Sequence, residues 1–148
     1  MMPLLYQSTR DEKNIVTASE AILQGLATDG GLYVPTQFPE LHLDFAKLAT
    51  QTYQEVAEFI LQAFLTDFTA EEIKACVAGA YDAKFDDPVI APLEKKGDSY
   101  YLELFHGPTF AFKDLALSIL PYLTTTAAKK NQVEKEIVIL TATSGDTG

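Results

Sequence analysis

The sequence predicts an α/β protein: a small, mainly helical N-terminal part with short strands, followed by the start of a sheet domain. Three observations lead there. Thr17-Ala-Ser-Glu20, Thr52-Tyr-Gln-Glu55 and Thr69-Ala-Glu-Glu72 repeat the spacing of a capping box, the signature of a helix start. Asp98–Phe105 alternates, with Tyr100, Leu102 and Leu104 on one face and Tyr101, Glu103 and Phe105 on the other, as a strand does. Glu136-Ile-Val-Ile-Leu140 is a continuous run rich in β-branched residues, as expected of a buried parallel strand. The character changes near Val89, so the expected division is 1–88 and 89–148.

Each element follows from local chemistry. After the first box, Ala18, Ala21, Ile22 and Leu26 give a short amphipathic helix, with Gly25 as its end. Asp29-Gly-Gly-Leu-Tyr-Val-Pro35 reads as a turn feeding a short extended stretch closed by proline. Val56, Phe59, Ile60, Ala63 and Phe64 make a helical stripe after the second box. The third box opens a helix with Ile73, Val77 and Ala80 on its apolar side, and Cys76 joins them as a core residue. The Asp86-Asp-Pro88 turn follows that helix. His106-Gly-Pro-Thr109 breaks the alternating strand, and a helix from Lys113 to about Ala128 should kink at Pro121. Strand, helix and buried strand in that order are the beginning of a parallel sheet.

Composition narrows the function. The chain has 148 residues, 47% hydrophobic and 22% charged, enough for one proper core. A single cysteine excludes a disulfide framework and a multi-thiolate metal site, and points to the cytosol. No acidic or histidine spacing indicates metal ligation. The net charge of −10 argues against nonspecific nucleic-acid or acidic-membrane binding. No stretch approaches the roughly 20 apolar residues of a membrane span. An anionic ligand would therefore need a local device to hold it against the overall field.

Two segments offer one. In Phe105-His-Gly-Pro-Thr-Phe-Ala-Phe-Lys-Asp114, Lys113 falls at a helix start between Phe112 and Asp114. The helix terminus and the neighbouring phenylalanines, Phe110 and Phe112, would both disfavour the charged amine, as a Schiff-base or general-base lysine needs. A snorkelling lysine beside an ordinary first-turn acid is the plainer alternative, and the residues alone leave it open. In Ser144-Gly-Asp-Thr-Gly148, small residues after a strand let backbone N–H groups converge on an anion, although a plain turn has the same pattern. His106 reads as a hydrogen-bonded structural histidine, and His42 as a loop residue.

Together these segments carry a resemblance. Leu102–Ala116 resembles the lysine segment of the threonine synthases, Ile139–Gly148 resembles their substrate loop, and Ala18–Pro35 resembles the start of their small N-terminal domain. The resemblance implies a fold-type II enzyme that depends on pyridoxal 5'-phosphate and converts O-phospho-L-homoserine and water to L-threonine and phosphate. Lys113 would hold the cofactor as an internal aldimine and then shuttle protons. Phe112 would line the ring pocket, and Asp146 would face the pyridine 3-oxygen. Ser144, Gly145 and Thr147 would bind the substrate carboxylate. The phosphate loop and the pyridine-nitrogen partner of such enzymes are expected further along a longer chain. This piece alone is therefore expected to be inactive. Another fold-type II lyase or dehydratase, or a noncatalytic threonine-synthase-like interaction domain, is the alternative. The expected partner is a small-molecule substrate, with no nucleic acid or membrane.

Overall fold

A computed structural model describes residues 3–143 and 145. Its elements run β1 (Tyr6–Ser8), β2 (Ile15–Val16), α1 (Ala18–Gln24), β3 (Tyr33–Pro35), α2 (Phe45–Leu48), α3 (Tyr53–Phe64), α4 (Ala70–Ala80), β4 (Leu93–Lys96), β5 (Ser99–Leu102), α5 (Asp114–Leu117) and α6 (Leu120–Lys130).

The three helix starts lie where the threonines place them. Thr17, Thr52 and Thr69 each accept a hydrogen bond from the N–H of the glutamate three residues on, and each glutamate accepts from the threonine N–H in return. These reciprocal bonds satisfy donors that a helix start otherwise leaves orphaned. Gly25 ends α1 at φ 67, a conformation open to glycine at little cost.

The first sheet is antiparallel in the order β2-β1-β3, with Tyr6 opposite both Val16 and Pro35. It is tied to the helices through Tyr6, whose hydroxyl donates to the Phe64 carbonyl at 3.0 Å. Leu4 N–H donates to the Thr66 hydroxyl at 2.8 Å. The core joins Ala18, Leu65, Phe68, Ile73, Cys76, Val77, Ala80, Ile119, Leu123 and Ala127. Thus α6 packs on α1 and α4, and one apolar core spans residue 88. Asn131 Nδ2 donates to Ser19 Oγ at 3.0 Å, closing the same contact from its polar side.

Several expectations are corrected. The face of α3 against the core is Tyr53, Ala57 and Leu61, one turn apart along the helix. The expected stripe lies beside it: Phe59 and Ala63 line clefts shared with the segment from Gln37 to Gln51, and Phe59 is exposed. Pro121 does not kink a long helix. It sits in the first turn of α6, where its missing N–H costs nothing, and the chain breaks between α5 and α6. The alternating strand is shorter than 98–105 and pairs with β4 across the two-residue Gly97-Asp98 turn, Gly97 having φ 61. Neither face of this hairpin is buried along β5. Glu136–Leu140 forms no strand, and Leu140 is 91% exposed. A parallel strand needs neighbouring strands and covering helices, and among the described residues none flanks this run.

Candidate functional site

The segment between β5 and α5 is built around His106. Its Nδ1 lies 2.6 Å from Asp86 Oδ1 and its Nε2 lies 2.9 Å from Glu103 Oε2. Carboxylates only accept, so both ring nitrogens donate and the imidazole is cationic. The Glu103 bond, then the Asp86 bond, hold its pKa above the ordinary histidine value. Phe105 stacks on the ring at 4.7 Å between centroids. His106 is thus the structural, hydrogen-bonded residue the sequence suggests.

Downstream of His106 the chain makes two tight turns. Phe110 N–H donates to the Gly107 carbonyl and Asp114 N–H to that of Ala111, at 3.1 and 3.0 Å. Phe110 has φ 59, a left-handed conformation that is costly for a bulky residue and recurs where a fold enforces a functional geometry. The enforcing group is Asp114. Its buried carboxylate accepts from Thr109 N–H at 2.8 Å and from the Thr109 hydroxyl at 2.7 Å. Gly107 lies directly against the Asp114 side chain, with no room for a Cβ.

Lys113 therefore stands at a defined point, the residue before α5, with its side chain partly buried. Its carbonyl accepts from the N–H groups of Ala116 and Leu117 at 3.0 and 2.8 Å. The helix-start position matches the sequence reading, and the neighbouring rings are themselves largely exposed. Phe110 is 72% and Phe112 64% exposed.

Of the second segment, Gly145 is described: its N–H donates to Thr143 Oγ1 at 3.0 Å and its φ is 130. Ser144, Asp146 and Thr147 lie outside the described residues. The residues that sequence reasoning missed are Asp114 as a clamp and Tyr81, whose hydroxyl donates to the Leu115 carbonyl at 2.8 Å. The Thr109-to-Asp114 spacing just ahead of a helix was the available sign for the first. Among the described residues no cluster of His, Cys, Asp and Glu is arranged to hold a metal. No helix among them is long and apolar enough to cross a membrane.

Residues 5–81 match the family model described as the threonine synthase N terminus, over half of the chain. The chain belongs to the threonine synthase family. Threonine synthase of Schizosaccharomyces pombe is 37% identical over 97% of this chain and 30% of its own length. Threonine synthase-like 1 of Pongo abelii is 40% identical over 88% of this chain and 18% of its own. The crystal structure of PLP-bound threonine synthase from Brucella melitensis superposes with a TM-score of 0.78 at 34% identity, covering 87% of this chain and 28% of that one. The chain thus spans under a third of the length of these threonine synthase relatives. Its small α/β architecture, helices with short strands, is that of the fold-type II threonine synthase structures.

Proposed function

We propose that this chain is the N-terminal part of a threonine synthase, a pyridoxal-phosphate-dependent carbon–oxygen lyase that converts O-phospho-L-homoserine and water to L-threonine and phosphate. The observation that carries the reading is the double fixing of Lys113, by the Asp114–Thr109 clamp that brackets it and by the α5 N–H groups that hold its carbonyl. A cofactor with a reactive aldehyde needs one amine at one place, and a partly buried lysine at the end of a pinned loop fits that need.

When bound, the cofactor supplies the electron sink for the substrate carbons. Lys113 would hold it through its amine and would carry protons at those carbons. Phe112 offers an exposed ring against which a planar heterocycle can lie. Ser144, Gly145 and Thr147 are assigned the substrate carboxylate, and Asp146 the side of the cofactor's 3-oxygen. Of these four, the N–H of Gly145 is engaged with Thr143 and would have to turn to reach a ligand. A small-molecule substrate is the proposed partner, and the cytosol the proposed compartment.

The likeness to threonine synthase-like 1 favours a second reading, a related phospho-lyase that uses the same lysine. The product distinguishes the two readings. Borohydride reduction of the cofactor-loaded full-length protein, followed by peptide mapping, is expected to place the pyridoxyl group on Lys113. Finding it on Lys129 or Lys130, or nowhere, would overturn the assignment. Incubation with phosphohomoserine should then yield threonine and phosphate in equal amounts.

A further inference from the structure

Three helices meet at one phenol. Tyr81 caps the C-terminus of α4, its N–H donating to the Val77 carbonyl at 2.9 Å. From α3, Gln54 Nε2 donates to the Tyr81 carbonyl at 2.8 Å, and Tyr53 packs edge-on to the Tyr81 ring at 4.9 Å. Phe85 closes the ring from another side at 6.0 Å. The side chain is buried, yet its hydroxyl leaves this cluster to donate to the carbonyl of Leu115, the second residue after Lys113. Burial pushes the phenol's pKa upward, so it remains a donor throughout the working range of an enzyme.

The acceptor matters because α5 is only four residues long and cannot stabilise itself. It holds the Lys113 carbonyl through the N–H groups of Ala116 and Leu117, so anything that fixes α5 fixes the lysine backbone. The Asp114–Thr109 clamp brackets Lys113, tying the first residue of α5 back to the loop before the lysine. Tyr81 acts one residue further into α5, at the Leu115 carbonyl, and is a direct polar link to it from the α3–α4 pair.

We infer that Tyr81 is a positioning residue for Lys113: its hydroxyl, seated by α3 and α4, sets where the lysine amine stands in the reaction. The inference rests on the reading of Lys113 given above. Tyr81→Phe keeps the ring packing and removes the hydroxyl, with its bond to Leu115 and its interaction with Tyr53, so the protein should fold and melt close to the parent.

The test uses the full-length enzyme with three readouts. Amide exchange at Ala116 and Leu117 should quicken roughly five- to tenfold, the loss expected when one neutral hydrogen bond no longer restrains the turn. In the cofactor-free protein, the pH profile of Lys113 modification by an amine reagent should move. In the loaded enzyme, kcat should fall roughly tenfold with KM within about twofold, since a displaced reacting group costs rate more than binding. Parental exchange, parental modification and parental kcat in Tyr81→Phe would overturn the inference. If that variant fails to fold, Gln54→Leu removes the α3 bond to the Tyr81 backbone carbonyl and so loosens the seat of the phenol; it is read with the same expected direction and the same overturning result. Lys113→Ala separates the two levels: a fully active Lys113→Ala enzyme refutes the assignment of the lysine itself. An inactive one beside an unaltered Tyr81→Phe refutes only the role of Tyr81.

Discussion

Asp86 and His106 hold each other twice: the Asp86 N–H donates to the His106 carbonyl at 3.0 Å, and the Asp86 carboxylate accepts from Nδ1 at 2.6 Å. Backbone and side chain of His106 are thereby fixed by one residue from the turn after α4. Glu103 takes the other ring nitrogen, and Asp87 adds a more distant negative charge. Because the folded pKa lies above the unfolded value of about 6.5, the stabilisation is complete below that value. It is lost as the pH rises through the folded pKa. Urea midpoints of the parent and His106→Asn, followed from mildly acidic to alkaline pH, should therefore converge as pH rises. A gap that stays constant or widens would refute the cationic imidazole.

Gly107→Ala should be poorly tolerated. The added methyl would strike the Asp114 side chain, which is buried and committed to Thr109. Overpacking of this kind costs about 1–3 kcal/mol. Denaturant unfolding should show that loss, and labelling of Lys113 in the folded protein should change in rate. Unaltered stability would mean the loop shifts freely and the clamp does not fix it.

The third capping box is coupled to α6. Glu72 accepts from Thr69 N–H at 2.8 Å and from Lys130 Nζ at 3.0 Å. Burial pushes its pKa up, but the Thr69 N–H and Lys130 outweigh this and the net shift is downward. Its contribution is therefore present above the unfolded value of about 4.3 and disappears as the pH falls through the folded pKa. Thr69→Ala should cost about 1 kcal/mol at neutral pH. The penalty of Glu72→Gln should shrink towards acid, which unfolding curves at several pH values will show.

Ile73→Ala tests the core directly. Ile73, on α4, is fully buried in the core, and removing its branched chain leaves a cavity there or forces the surrounding core to close over it. A loss of about 2–5 kcal/mol is expected. The urea midpoint should fall with little change in slope; a loss below about 0.5 kcal/mol would be typical of a surface site and would contradict this packing.

What the sequence made legible was what lies within a few residues. The three threonine boxes and Gly25 were readable because a cap is a contact between positions i and i+3 or at a helix end. Tyr6–Ser8 and Ile15–Val16 were not, since strands of three and two residues have too few positions to display a period. The run at Ile137–Leu140 shows the opposite failure: its residues prefer a strand, but preference without neighbours forms no ladder. At the candidate site Lys113 stood out through its motif. The Tyr81 bond to Leu115 links positions 34 apart, and no local pattern could announce it.

The bond between Asn131 and Ser19 spans 112 positions, and Ala18 and Ala127 share the core beneath it. On the ribosome, α1 therefore emerges long before the surface it must cover. At roughly 5–20 residues per second the nascent N-terminus waits on the order of 6–22 s for α6. During that interval its apolar side is open to chaperones. An arrest-peptide assay should register the main folding force only after residue 131 has cleared the exit tunnel, and a full-strength signal before α6 emerges would refute this order.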